Sequence, residues 1–84
     1  MHDRVISSPA AIVGAAVRAR RRRLGLRQGD LASLAGCSVP WLVKLEAGRG
    51  TVRLDKVVDV LEALGLHLEV KAGSDTVVVA DDVA

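Results

Sequence analysis

Phe and Tyr are absent from this sequence, and Trp41 is its single aromatic residue. Any core must therefore be aliphatic. The lone cysteine, Cys37, excludes an internal disulfide, and no cysteine–histidine spacing of the kind that holds zinc is present. No run approaches the roughly 20 apolar residues that a membrane span needs. The opening MHDRVISSPAAIVGAAV is only weakly apolar and lacks the long core and clean cleavage site of a secretory signal. A reducing cytoplasm is the expected location. There is no glycine-rich phosphate loop with a lysine. The two histidines, His2 and His67, lie far apart, and neither neighbours a plausible nucleophile or acid. Neither an enzyme nor a metal or cofactor site is expected.

What remains is 84 residues, half of them hydrophobic, which is too many for a disordered chain. One domain of this size buries only about 60% of the surface its unfolded chain exposes, so self-association would help it. A net charge of +2 conceals a strong asymmetry. Residues 1–53 carry ten basic against three acidic side chains, a surplus of +7, whereas residues 54–84 carry two against seven, or −5. A basic front and an acidic rear imply a polyanion on one side and a different partner on the other.

Ser8 as N-cap and Pro9 at the first helical position start a helix that runs to about Arg23 and ends at Gly25. Ile12, Val13, Ala16 and Val17 form its loose apolar stripe. A second helix fits Gln28 to Ala35, with Leu31 and Ala32 facing inward, and Gly36 follows where a tight turn wants positive φ. Ser38 caps a third helix from Val39 to about Ala47, with Pro40 in its first turn. After a loop over residues 48–53, a fourth helix covers Leu54 to Leu64. Leu54, Val57, Val58, Leu61 and Leu64 form its apolar face. Residues 66–71 alternate like a half-buried strand, and 76–80 fit a second strand with no evident partner.

The segment from Gln28 to Leu42 has the spacing of a helix-turn-helix. Ala32 is small where two helices cross, Gly36 takes the turn, and Leu42 packs the second helix on the first. Such a corner presents its second helix to the major groove of DNA. The competing reading of the residues alone is a helical, protein-binding adaptor that merely contains the corner.

The run GLRQGDLASLAGCSVPWLVKLEAGR (25–49) resembles the Cro/repressor-type helix-turn-helix family, whose usual run is close to GLTQxELAxxAGVSxxxLSxLERGK. Val13-Gly14 and Val17-Arg18-x-x-Arg21 resemble that family's first helix. Downstream, TVRLDKVVDVLEALGLHLEV (51–70) resembles HipB-type antitoxins, in which one short strand after the fourth helix pairs with its counterpart in a second subunit. The likeness spans about residues 8–71.

The resemblance implies an all-α, lambda-repressor-like DNA-binding domain of four to five helices, with a short C-terminal β-strand that pairs across a dimer. Residues 1–7 are then an N-terminal arm and 8–65 the helix-turn-helix domain. Residues 66–71 are the dimerisation strand, and 72–84 a tail that is either a second strand or disordered. Leu66, Leu68 and Val70, along with part of the fourth helix, are the expected interface, since pairing across a two-fold axis removes an exposed edge.

By the same resemblance, Ser38, Val39, Pro40, Trp41 and Lys44 meet the major groove. Lys44 has charge and reach for a base or phosphate, with a plain solvated lysine as the alternative. Trp41 is either a core residue or an indole against the DNA backbone, or both. Gln28, at the start of the second helix, and Arg49, after the third, are phosphate candidates. Arg27 stands where the family favours a threonine cap, so the second helix is expected to start less firmly. The resemblance pairs Arg21 with Glu46 as a structural ion pair.

Four consecutive arginines, Arg20 to Arg23, point all round a helix and cannot share one surface. The three besides Arg21 are read as a solvated helix end, with one or two touching DNA backbone. Leu34 and Val43 replace polar residues of the family, as incidental exposed aliphatics or as a partner surface. Cys37 is read as a small core residue and His67 as solvated. The expected partners are double-stranded DNA bearing a palindromic operator, a second copy of the chain, and a HipA-like kinase toxin, with no membrane. A stand-alone, phage-like repressor without a toxin is the alternative.

Overall fold

The structure is a computed structural model that describes residues 8–73 and 77–82; the expected N-terminal arm lies outside them. In chain order the elements are α1 (Pro9–Arg23), α2 (Gln28–Ala35), α3 (Val39–Glu46), α4 (Leu54–Ala63), β1 (Leu66–Val70) and β2 (Val77–Asp81). The Ser8 hydroxyl accepts a hydrogen bond from the Ala11 N–H at 3.1 Å, which caps α1, and Pro9 needs no donor there. Its last turn carries all four arginines, at the negative end of the helix dipole.

Helix α2 lacks the usual hydroxyl or carboxamide cap, yet it does not start bare. The Asp30 carboxylate, in the first turn, accepts from the Arg27 N–H at 2.9 Å. The weakened start expected from Arg27 is thereby offset from inside the helix. At its other end Gly36 sits at φ 71°, and the N–H groups of Gly36 and Cys37 close back on the carbonyls of Ser33 and Ala32. Only a residue free of a Cβ takes that backbone without strain. The Ser38 hydroxyl then accepts from the Trp41 N–H at 3.2 Å and opens α3.

The core is aliphatic. Val13 and Val17 of α1, Leu31 and Ala32 of α2, and Leu42 and Leu45 of α3 meet Val57, Val60, Leu61, Leu64 and Leu66. The buried stripe of α4 is Val57-Val60-Leu61-Leu64. Leu54 and Val58, expected on the inner face, are exposed. Cys37 packs at the margin of this core, half-buried, and burial pushes its thiol above the ordinary range. Gly14 lets α1 cross α3 at close range, because a Cβ there would collide with the carbonyl oxygens of Leu45 and Glu46.

The strands are the main departure from the expected fold. β1 pairs with β2 of the same chain in an antiparallel hairpin, from Leu66 opposite Asp81 to Val70 opposite Val77. The Asp82 N–H donates to the Gly65 carbonyl at 2.8 Å and continues the pairing past the strand. Leu66, Leu68, Val77 and Val79 share one face of the hairpin and pack on the helical core. The tail thus supplies the partner that residues 66–71 were expected to find in another subunit. Leu66 is buried inside the protomer and Leu68 is half-buried, whereas Val70 is 81% exposed. Among the described residues, no strand pairs with the other edge of β1.

Candidate nucleic-acid interface

The corner formed by α2, Gly36 and α3 is fixed from beneath by an ion pair that α1 supplies. Arg21 lies in the last turn of α1, and the close crossing at Gly14 brings its guanidinium to the end of α3. Its Nε donates to Glu46 Oε2 at 2.6 Å and its Nη2 to Glu46 Oε1 at 3.0 Å, a two-pronged contact. Its Nη1 donates to the Leu26 carbonyl at 2.9 Å, which ties down the turn between α1 and α2. Gln28 Nε2 donates to Glu46 Oε1 at 3.1 Å. Glu46 therefore joins three helices. The side chains of Arg21 and Glu46 are only 11% and 4% exposed. The hydrogen bond to Glu46 raises the Arg21 pKa above its already high ordinary value, so the guanidinium stays charged.

Above this floor α3 faces outward. Ser38, Val39, Pro40, Val43 and Lys44 are exposed, as is Arg49 in the following loop. Lys44 lies along that loop, its Nζ close to Gly50. Neither Lys44 nor Arg49 has an acidic partner among the described residues. Arg53, by contrast, is engaged by Asp55 at 2.6 Å, and that contact holds the Asp55 carboxyl below its usual range.

Several expected site residues are placed differently from the simple reading. Trp41 is half-buried and packs against the core with only part of its surface outward, which suits both roles considered for it. The Gln28 side chain is engaged by Glu46, leaving chiefly the open backbone N–H of the α2 start for an anion. The Ser38 hydroxyl accepts the cap bond, with its proton free to donate outward. Leu34 is 65% exposed and Val43 is exposed too, so neither is a core residue.

Three roles go beyond the reading of the residues given above. Arg20 is a latch between layers: its Nε donates to the Leu64 carbonyl at 3.0 Å, and its Nη2 lies 3.2 Å from Asp81 of β2. It is neither a solvated helix end nor available to DNA. Asp30 caps α2, a role that its position three residues after Arg27 could have signalled. His67 is not simply solvated: its ring sits 2.6 Å from Asp82 Oδ1 and 3.0 Å from Glu69 Oε2.

A family model described as a helix-turn-helix domain matches residues 12–72. An uncharacterized HTH-type transcriptional regulator, y4mF, of Sinorhizobium fredii is 43% identical over 67 residues, which cover 80% of this chain and 87% of the relative. The chain belongs to the HTH-type transcriptional regulators. Among solved structures, this regulator is similar to the clp gene regulator ClgR of Corynebacterium glutamicum. One ClgR crystal structure matches with a TM-score of 0.64 at 33% identity, over 69% of this chain and 62% of that one. A second matches with a TM-score of 0.67 at 30% identity, over 75% of this chain and 81% of that one. No helix of the described residues is long and apolar enough to cross a membrane.

Proposed function

We propose that this HTH-type regulator is a sequence-specific repressor that binds a palindromic operator as a homodimer, with α3 in the major groove. The observation that carries the reading is the exposed face of α3, held rigid on the Arg21–Glu46 floor and flanked by the unpaired cations Lys44 and Arg49. Lys44 is the base or phosphate donor, Val39 and Pro40 offer apolar contact of the kind a thymine methyl accepts, and Ser38 donates from its hydroxyl. Trp41 sets its ring against the core and its edge toward the backbone. Gln28 contributes the open N–H of its helix start, and Arg49 a phosphate contact.

One helix-turn-helix offers few base contacts, so a two-fold pair reading half-sites one turn of DNA apart, about 34–36 Å, is the economical arrangement. The open edge of β1, with Val70 beside it, is the surface available for that pairing. Leu66, buried in its own protomer, has no part in it, and Leu68 has little. The resemblance of residues 51–70 to HipB-type antitoxins supports a further role: neutralising a HipA-like kinase toxin that docks on the acidic rear. Hydroxyl-radical footprinting on the DNA directly upstream of its own coding sequence tests the repressor reading. Two protected patches one helical turn apart are expected, and no protection at low salt would refute it. Absence of a kinase-like gene beside it would remove the antitoxin role and leave the repressor.

A further inference from the structure

Arg18 and Arg22 lie four residues apart on α1 and so share one face of it. Neither has an ion pair or a side-chain hydrogen bond among the described residues. Both line a cleft of about 460 Å³, whose other walls include Arg21, Gln28, Val43 and Glu46. Arg21 and Glu46 cancel each other's charge through their two-pronged contact. The lining therefore keeps two uncompensated positive charges. Like charges at this spacing oppose helix formation, so the pair weakens α1 unless an anion sits against it. Its neighbours differ: Arg20 and Arg21 are each spent on a carboxylate and a carbonyl of the fold.

We infer that this cleft seats a phosphate of the DNA backbone, gripped by the guanidinium groups of Arg18 and Arg22. The inference rests on the DNA reading above and extends the contact surface from α3 to α1. The cleft opens between the end of α1, the start of α2 and the outer side of α3. A duplex lying on α3 passes its backbone along that line. Guanidinium forks match the oxygens of a phosphodiester, and Gln28, the first residue of α2, lines the same space. Such a contact carries no base information; it sets affinity and the register of α3 in its groove.

The test uses the full chain and two duplexes of equal length, one from the DNA directly upstream of its own coding sequence and one of shuffled sequence. R18Q/R22Q removes two charges from the cleft. R23Q/K71Q removes two charges elsewhere, since Arg23 lies on the side of α1 turned to the hairpin and Lys71 follows β1. All four residues are exposed, so each variant is expected to keep its fold, with thermal unfolding as the check. Fluorescence anisotropy across a salt series should show R18Q/R22Q weakened by the same factor on both duplexes. Its slope of log affinity against log salt should be shallower by about 1, with R23Q/K71Q close to the parent protein. An unchanged slope in R18Q/R22Q, or an equal loss in R23Q/K71Q, overturns the cleft while leaving the DNA reading intact. No binding of either duplex by the parent protein at low salt overturns both.

Discussion

Removing the Glu46 carboxylate would leave three donors without their acceptor: two N–H groups of Arg21 and the amide of Gln28. Arg21 would become an unpaired charge in a nearly closed site. Breaking such a pair on one side costs about 3–5 kcal/mol, whereas replacing both partners by apolar groups is often close to neutral. Glu46→Ala is therefore expected to lower stability by about that amount in urea unfolding, while the double change Arg21→Met with Glu46→Leu loses clearly less. A loss below about 1 kcal/mol for Glu46→Ala would place the pair among ordinary surface bridges. At this scale the sequence was readable where a residue acts on its own neighbours: Ser8, Pro9, Gly36 and Ser38 cap and turn the helices as their types demand. It was not readable where the partner is distant. Nothing within the run from Arg20 to Arg23 says that Arg20 alone reaches a carbonyl and a carboxylate at the far end of the chain.

Helix α4 shows why spacing settles an element but not its orientation. Leu54, Val57, Val58 and Leu61 satisfy the same i, i+3, i+4, i+7 rule as Val57, Val60, Leu61 and Leu64. The two stripes share Val57 and Leu61. Packing against α2 and β1 selects the second, leaving Leu54 and Val58 outside. The hairpin was hidden for another reason. Six residues, 71–76, separate its strands, so the two-residue turn that announces a tight hairpin is missing. Its outer face carries a pH-dependent clasp. A neutral imidazole has one N–H and can donate to one carboxylate, whereas the imidazolium of His67 donates to both Glu69 and Asp82. The hydrogen bonds to Glu69 and then Asp82 raise the His67 pKa above 6.5. The clasp's contribution is thus complete below about pH 6.5 and fades as pH rises through the higher folded value. NMR titration should place the His67 midpoint above that of an unfolded control. Amide protection factors in β2 should fall across the same range, and His67→Gln should abolish that fall. A midpoint at or below the control would contradict the clasp.

Across the whole molecule, charge and topology divide the work. Within the basic front, residues 9–46 fold into the three-helix platform that presents α3, whereas the acidic rear supplies α4 and the hairpin. The helix-turn-helix was legible because its demands are local and concern small or turning residues at fixed spacing. How the platform would form the proposed pair is not written in spacing, since β2 already takes one edge of β1. Val70 is the exposed apolar residue of β1, so Val70→Asp is expected to shift sedimentation from dimer to monomer with little change in melting temperature. An unaltered dimer would move the interface elsewhere. Leu68→Asp is a poorer probe, because its half-buried side chain also serves the protomer core.

In the proposed complex α3 reads DNA and Lys44 touches it. The most direct test of that contact compares the parent protein with Lys44→Ala by fluorescence anisotropy, using a duplex from the DNA upstream of its own coding sequence. Tight, steeply salt-dependent binding by the parent is expected, with a loss of about 1–3 kcal/mol in Lys44→Ala at an unchanged melting temperature. Equal affinity of the two proteins, with the fold intact, would contradict the contact.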